Sequence, residues 1–354
     1  MGMPGVNISF TERAATAVSR GERGIVAIIM KDTVPAKNPV EIISVTDIPD
    51  TLTAANKKQI ELALMGYVNA PKKVIAYILP ENAENYADAL NWLEVNKFDY
   101  LVAPTCATDE QESTITLWIK AQRAGGKKVK AVLPQHAADT EGIINYATAS
   151  VTDEDENTYT AEQYCSRIAG IIAGTPMTIA CTYAPLGELV NCSRMKKAEM
   201  DTAVDAGKLI VFHDGEKVKI ARGVNSLTTV TSEKGNQFKK IKIVEAMDMI
   251  NDDIIKTAED SYLGKYANSY DNKCLLLSAI SNYFESLIRD GILSSGSVSI
   301  DIDANRLYLA KKGVDVSDLS DDAIKTADTD DKVFMNATVK ILDAIEEITL
   351  PIAI

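Results

Sequence analysis

The sequence predicts an α/β fold with a mostly parallel sheet, followed by a mixed α+β C-terminal part, with extended β arms at both ends. Three observations support this prediction. Apolar strands alternate with amphipathic helices from about residue 73 to 175, long amphipathic helices follow in the C-terminal half, and apolar residues alternate with polar ones near each terminus. Strands that alternate with helices are typical of a parallel sheet.

Near the N-terminus, Val6, Ile8 and Phe10 alternate with polar residues, a period of two that predicts a strand with one buried face. After a polar stretch, the runs GIVAIIM at 24–30 and VEIISVTDI at 40–48 are rich in β-branched residues. Such residues are enriched in strands, so both runs are predicted to be strands.

The strands KVIAYILP, YLVAP, KVKAVLP and ATASV come next in the chain. Helices separate and follow them, and we place these helices at 83–95, 109–124 and 161–173. Two of the helices begin with predicted capping boxes, Thr108 with Gln111 and Thr160 with Gln163. This order indicates a sheet built largely from parallel strands.

The C-terminal half mixes strands with helices. We place a helix near 194–206, a hairpin at 208–221, long helices over 243–254 and 272–290, a strand at 297–303 and an acidic helix-like segment at 317–330. The hairpin is predicted to turn at Asp214-Gly215, a dipeptide that favours tight turns.

Composition and charge narrow the classes of function. With 354 residues, 46% of them hydrophobic, the chain suits a folded protein of about two or three domains. A formal net charge of −13 argues against nucleic acid as a partner, because phosphate binding needs clustered Lys and Arg. No stretch reaches about 18 uninterrupted apolar residues, so we expect no direct membrane insertion. Five scattered cysteines favour reduced thiols in a cytoplasm.

Known motifs for phosphate, dinucleotide or zinc binding do not occur in this sequence. Two stretches, 153–157 and 301–305, resemble the start of a calcium loop, but Thr158 and Arg306 replace its turn glycine. We interpret the first as a solvated loop and the second as a strand end. The sequence therefore predicts neither a metal nor a cofactor.

An enzymatic alternative rests on topology. Cys106 and Asp109 follow one predicted strand and His136 follows another, at the sheet edge where ligands bind in open α/β folds. A cysteine nucleophile, a histidine base and an orienting carboxylate would suit a small α/β hydrolase. Alternatively, Cys106 fills a loop, Asp109 interacts with the dipole of a helix that starts at Thr108, and His136 is an ordinary surface residue. Fold alone does not confer function, so the sequence favours this second interpretation.

Apolar and polar residues alternate in the last nineteen residues, 336–354, up to the C-terminus, where most domains become polar and poorly ordered. One set of C-terminal apolar residues lies at odd-numbered positions, so that in a strand their side chains would share one face: Val333, Met335, Val339 and Ile341. A second set lies at even-numbered positions and comprises Ile348, Leu350, Ile352 and Ile354. We therefore predict two strands in series, of which the first joins the chain's own sheet. The second, like the N-terminal strand, is predicted to be an arm donated to a sheet of a neighbouring subunit, because an unpaired apolar strand aggregates.

Several stretches carry a family resemblance: PGVNISFTE near the start, RGVNSLTTVTSEKG ahead of a helix with VEAMDMINDDI, YLGKYANSYDNK before the next helix, and the final EEITLPIAI. In this order they resemble the tail sheath proteins of contractile bacteriophages and phage-tail-like bacteriocins. The short chain is similar to a small sheath protein without extra outer domains.

The resemblance implies a homo-oligomer of stacked, hexameric rings around an inner tube, linked by terminal arms and contracting to drive the tube through a cell envelope. Its implied partners are the inner tail tube protein, the baseplate and the tail terminator proteins, with assembly in the bacterial cytoplasm and no enzymatic activity. A non-contractile phage scaffold protein is a further alternative. The implied division is an N-terminal arm (1–22), a small β-rich segment (23–72), an α/β outer domain (73–207), an α+β inner domain (208–341) and a C-terminal arm (342–354).

The segment 315–331 contains seven acids and one lysine. Contact with a tube must hold the extended sheath and later release it, which favours exposed, screened charge. We therefore predict this segment as tube-facing, with a solvated acidic face as the alternative. The candidate residues are Asp318, Asp321, Asp322, Asp328, Asp330 and Asp331.

Overall fold

A computed structural model describes residues 17–353, apart from residues 19 and 22. Four of the predicted arm residues lie outside the described part of the chain: Val6, Ile8, Phe10 and Ile354. Among the described residues, no helix combines the length and apolar character needed to cross a membrane.

The chain divides into two compact units. One, which we call the α/β unit, comprises Glu22–Asp252 and Asp343–Ile354. The other, the α+β unit, comprises Met1–Gly21 and Asp253–Leu342. The C-terminal tail therefore belongs to the α/β unit, although it follows the α+β unit in sequence. The five-part division predicted from the sequence stays a prediction.

The α/β unit contains most of the strands. In chain order its elements are β1 (Ile25–Lys31), β2 (Val40–Ile42), a 3-10 turn (Val45–Asp47), α1 (Ala54–Leu64), β3 (Lys73–Leu79), α2 (Ala87–Val95), β4 (Tyr100–Val102), α3 (Glu112–Ala124), β5 (Lys130–Pro134), β6 (Ile143–Tyr146), β7 (Ser150–Asp153), β8 (Thr158–Thr160), α4 (Ala161–Ala173), β9 (Leu189–Cys192), α5 (Lys197–Asp205), β10 (Lys208–Leu209), β11 (Val211–His213), β12 (Val218–Ile220), a second 3-10 turn (Asn236–Lys239) and α6 (Ile241–Thr257). The division between the units falls within α6.

Seven strands form the main sheet in the order β10-β6-β5-β4-β1-β3-β2. All neighbours are parallel except β2, which runs antiparallel to β3. This confirms the predicted, mostly parallel sheet. The strand order reverses between β1 and β4, the switch point where open α/β sheets usually bind ligands.

Apolar residues cover both faces of the main sheet. Along β1, Val26 and Ile28 belong to a core shared with α1 and α4, whereas Ala27 and Ile29 belong to a core shared with α2 and α3. Successive strand residues point to opposite faces, so the continuous apolar run of β1 fills both cores. The sheet is therefore doubly wound, with helices on each side.

Two smaller sheets complete the α/β unit. Strands β8, β7 and β9 form an antiparallel sheet, and β11 pairs with β12 as a hairpin. The hairpin confirms the predicted turn at Asp214-Gly215, where Gly215 has a φ of +114° that favours glycine. The start of the predicted hairpin, Lys208–Leu209, instead joins the main sheet as β10.

The α+β unit is built around one long helix and a two-stranded sheet. Its elements are a π-helical segment (Ala258–Tyr262), α7 (Tyr270–Arg289), β13 (Leu293–Ile300), α8 (Ile302–Lys311), α9 (Asp321–Thr326) and β14 (Met335–Ile341). Strands β13 and β14 pair antiparallel, as predicted for the first of the two C-terminal strands. The sheet packs closely on α7, since a Cβ atom on Gly296 would lie 2.9 Å from the Cβ of Phe284.

One of the two predicted capping boxes forms. Thr160 and Gln163 cap the start of α4 reciprocally. The box predicted for Thr108 and Gln111 is wrong, because α3 begins only at Glu112. The backbone N–H and the hydroxyl of Thr108 donate instead to Glu162, at 3.0 and 2.9 Å.

Three further predictions need correction. The strand predicted at 297–303 ends at Ile300, because the Asp301 carboxylate accepts from the Ala304 N–H at 2.8 Å and caps α8. The acidic helix predicted at 317–330 is limited to α9, which Ser320 caps. The segment predicted as β-rich contains α1, a helix that the sequence analysis missed.

Replacing Gly170 in α4 is expected to destabilise the α/β unit, because the added Cβ would lie 2.1 Å from the backbone oxygen of Ala63 in α1. Forcing two helices apart typically costs about 1–3 kcal/mol, more than the helix propensity that alanine adds. We expect Gly170→Ala to lower the free energy of unfolding by about 2 kcal/mol in urea titrations. Gly187→Ala is the control, since no atom lies within 4 Å of its added Cβ. Equal stability of the two variants would contradict this packing.

Candidate functional site

The C-terminal tail exposes the apolar residues that the sequence assigned to an arm. Ile348, Leu350 and Ile352 are 84%, 74% and 77% exposed. Residues 343–353 contain neither helix nor strand. Within the described chain, no backbone hydrogen bond joins 348–353 to a strand. The tail therefore presents an exposed apolar segment, 348–353, whose backbone pairs with no strand among the described residues.

Just before this segment, charged and polar side chains fix the tail to the α/β unit. We call this cluster the anchor; it consists of Thr182, Arg222, Lys240, Asp343 and Glu346. The Thr182 hydroxyl donates to Glu346 Oε1 at 2.6 Å. Arg222 donates through Nε and Nη2 to Glu346 Oε2, at 3.0 and 2.9 Å. Lys240 pairs with Asp343, and its Nζ lies 3.4 Å from Glu346 Oε2.

Three separate parts of the α/β unit supply the anchor. Thr182 lies in the loop before β9, Arg222 follows β12, and Lys240 directly precedes α6. Glu347 adds an exposed ion pair with Arg222 at 3.2 Å. The fixed part of the tail thus ends at Glu347, and the exposed apolar residues follow immediately.

The anchor controls the ionisation of Glu346. The side chain is only 9% exposed, and burial by itself raises its pKa. Hydrogen bonds from Thr182 and Arg222, together with the positive charges of Arg222 and Lys240, outweigh burial and hold the pKa below its ordinary value. A carboxylate bound in this way is ionised at neutral pH, so the hydrogen bonds and ion pairs of the anchor are formed at that pH.

All six predicted tube-facing acids are exposed on the α+β unit. Three of them pair with cations of the same unit: Asp321 with Arg306 at 3.0 Å, Asp322 with Lys325 at 3.3 Å, and Asp330 with Lys312 at 2.7 Å. Asp318, Asp328 and Asp331 form no ion pair with the described residues. Half of the candidate residues are therefore exposed acids without an ion pair to a described residue.

The residues of the enzymatic alternative do not form a catalytic group in the described chain. Cys106 is fully buried, and burial raises the pKa of its thiol far above the usual range. No hydrogen bond joins Cys106 to His136 among the described residues. The Asp109 carboxylate is occupied by three other side chains, those of Lys31, Tyr86 and Thr105. The switch point of the sheet is thus closed by a polar network.

The two calcium-like stretches have structural roles. Asp153 accepts hydrogen bonds from Asn157 and Tyr159 in the turn between β7 and β8, and Asp301 caps α8. The second stretch was predicted as a strand end, but most of it is helical. Among the described residues, no group of three or more His, Cys, Asp or Glu could hold a metal ion.

Sequence reasoning identified the apolar tail but missed the anchor. The signal available was the acidic pair Glu346-Glu347, at the point where the apolar parity changes. Its partners Thr182 and Arg222 lie 164 and 124 residues away in sequence. Such partners become visible only in the folded chain.

Comparison with protein families covers most of the sequence. Residues 81–226 match the phage tail sheath protein central domain. Residues 233–354 match the phage tail sheath C-terminal domain. The second match includes both the acidic segment and the C-terminal tail.

Individual relatives agree with these matches. The chain is 40% identical to the tail sheath protein of Clostridium phage phiCD119 over 356 aligned positions, which cover 99% of this chain and 98% of that protein. It shares its fold with the crystal structure of a sheath tail protein from Desulfitobacterium hafniense, with a TM-score of 0.72, 21% identity and coverage of 84% and 94% of the two chains. The contracted helical sheath of the anti-feeding prophage gives a TM-score of 0.69 at 16% identity, covering 100% and 99%.

Acid is expected to open the anchor. A carboxylate whose pKa is lowered on folding stabilises the folded contact above its ordinary pKa, 4.5 for Glu346, and this contribution is lost as the pH falls through the lowered value. A spin label at Ile345→Cys, in a Cys274→Ser background that leaves only buried cysteines, should become more mobile as the pH falls below 4.5.

Glu346→Gln should make the same label mobile at neutral pH and remove most of this pH dependence, because glutamine does not titrate. A label that stays immobile in the variant at every pH would show that Glu346 does not hold the tail.

Proposed function

This chain belongs to the phage tail sheath family and is a structural subunit of a contractile tail sheath, and we propose that its copies are linked by exchange of terminal β arms. In this proposal the subunits form stacked, hexameric rings around an inner tube. The exposed apolar tail beyond Glu347 is the observation that carries the proposal. If the tail were added as a strand to the sheet of another copy, the apolar side chains on one of its faces would be buried and its backbone would be hydrogen-bonded.

The two-stranded sheet of the α+β unit is the best candidate to receive an arm. Strands β13 and β14 pair with each other, and neither has a second partner strand among the described residues. Both are long, with eight and seven residues. Unpaired edges of this length normally bind another strand or are protected from doing so.

The position of Pro351 restricts where the arm can lie. In a strand, residues 349, 351 and 353 direct their backbone groups to one side, and 348, 350 and 352 to the other. Pro351 lacks an N–H, so the first side cannot form a complete ladder. We therefore propose that the arm is an edge strand, which pairs through the backbone groups of its apolar residues.

The energy of one such link is moderate. A few ladder hydrogen bonds contribute about 1 kcal/mol each, and each buried apolar side chain contributes about 1.5–3 kcal/mol before the cost of ordering. A link of this strength would be reversible alone, but many copies in a helical stack would hold together firmly. The residues Val6, Ile8 and Phe10 would form a second arm at the N-terminus.

The remaining partners follow from the same proposal. We propose that the acidic segment 315–331 faces the inner tail tube protein, and that the sheath ends contact the baseplate and tail terminator proteins. Assembly would occur in the bacterial cytoplasm, before release of a phage tail or phage-tail-like particle. Support for the tube contact comes from Asp318, Asp328 and Asp331, which are exposed and form no ion pair with the described residues.

Removing the arm should prevent polymerisation without unfolding the subunit. A chain that ends at Glu347 loses only residues that are exposed or outside the described chain, so its thermal unfolding should match that of the full chain. Negative-stain microscopy should show tubes or rings for the full chain and none for the shortened one.

A pair of full-length variants tests whether the apolar side chains of the tail are needed, without shortening the chain. Ile348→Ser with Leu350→Ser should abolish tubes, whereas Thr349→Ser with Ala353→Ser, on the opposite parity, should leave them intact. Normal tubes from the shortened chain or from the first pair would refute arm exchange.

Reversing the unpaired acids should weaken assembly on the tube. Each exposed charge contributes about 0.2–1 kcal/mol, but the contribution repeats in every subunit. We expect Asp318→Lys with Asp331→Lys to lower the amount of sheath that co-sediments with purified tube protein at physiological salt. Glu154→Lys with Asp155→Lys, in the exposed turn before β8, is the matched control. Equal co-sedimentation of the two variants would remove the acidic segment as the tube contact.

A further inference from the structure

The anchor divides the C-terminal tail into a fixed part and a free part. Ion pairs with the α/β unit occur at Asp343, Glu346 and Glu347, and the side chains of the described residues beyond Glu347 form no ion pair or hydrogen bond. An extended chain spans at most about 3.3–3.6 Å per residue. The seven residues after Glu347 therefore reach about 25 Å, whereas the twelve after Leu342 would reach about 43 Å. Closing the anchor shortens the reach of the arm by nearly half.

The cations of the anchor lie next to a rigid part of the α/β unit. Lys240 directly precedes α6, and the N-terminal part of α6 carries Glu245 and Asp248. The Lys130 Nζ of β5 lies 2.7 Å from a Glu245 oxygen and 2.8 Å from an Asp248 oxygen. Arg123 of α3 pairs with Asp248 at 2.9 Å. This end of α6 is thus tied to the main sheet by ion pairs that are almost completely buried.

Buried ion pairs resist separation, because removing one partner leaves an uncompensated charge in the protein interior. A pull on the tail therefore meets first the hydrogen bonds of Glu346 and then the ion pairs that hold α6 on β5 and α3. The anchor thus joins the exposed arm to a part of the α/β unit that buried ion pairs hold in place.

We propose that Glu346 is a positioning residue of the sheath linkage: its contacts with Thr182, Arg222 and Lys240 set the reach of the arm and transmit tension on it into the α/β unit. This inference rests on the proposed arm exchange and adds to it. Arm exchange requires only that residues 348–354 pair with another copy. The anchor determines how far that copy can lie and how much force the link withstands.

The test uses full-length subunits assembled into tubes, with Glu346→Gln as the variant. Glutamine keeps the size of the side chain and loses its charge. Glu216→Gln is the matched control, because Glu216 lies in an exposed turn and its side chain forms no hydrogen bond or ion pair with a described residue. In the free subunit, we expect a spin label at Ile345→Cys, in the Cys274→Ser background, to be more mobile with Glu346→Gln than with Glu216→Gln, since the charge-assisted hydrogen bonds of Glu346 are lost.

Glu346→Gln tubes should still form, but shear in a narrow capillary should break them into shorter fragments than wild-type or Glu216→Gln tubes, as measured by negative-stain microscopy. Glu346→Asp, which keeps the charge, should recover part of the resistance. Glu346→Gln tubes that resist shear like the wild type, or a label that is equally mobile in Glu346→Gln and Glu216→Gln subunits, would overturn the anchor as the contact that withstands tension. Loss of tubes on removal of residues 348–354 is a separate result that tests arm exchange alone.

Discussion

A β-strand with one apolar face is stable only when another strand pairs with its backbone and another surface covers that face. The C-terminal tail meets neither condition within the described chain, since Ile348, Leu350 and Ile352 are largely exposed. A closed sheath of many identical copies supplies both conditions without any new type of subunit. The two units of the subunit are folded, but the apolar tail stays exposed and unpaired. In the proposed function, burial and pairing of this tail in another copy drive assembly.

The α/β unit shows how a fold common among enzymes serves as a structural base. Its doubly wound sheet has a switch point between β1 and β4, but Lys31, Tyr86, Thr105 and Asp109 fill that position with mutual hydrogen bonds. The charged groups of the unit are used for bracing, as in the buried contacts of Lys130 with α6. The same unit then fixes the tail through Glu346. A braced base and a short free arm suit the proposed link between copies, which must withstand tension.

Much of the fold could be predicted from periodicity, because burial imposes a period on strands and helices. The parallel sheet, the cap at Thr160, the turn at Gly215 and the strand that ends at Ile341 follow from local patterns. One failure was local, because Asp301 caps a helix where alternation predicted a strand. Another occurred where a distant residue decided the local structure, since Glu162 binds Thr108 and displaces the predicted cap. The anchor belongs to the same class, because ion pairs between distant segments leave no periodic signal.

Helical reconstruction of the assembled sheath by cryo-electron microscopy tests the central claim most directly. The account predicts density in which residues 348–354 run as an edge strand, hydrogen-bonded to a strand of a neighbouring copy, while Glu346 stays bound to Arg222 of its own chain. Density in which these tail residues contact only their own subunit, or leave neighbouring sheets unpaired, would contradict it.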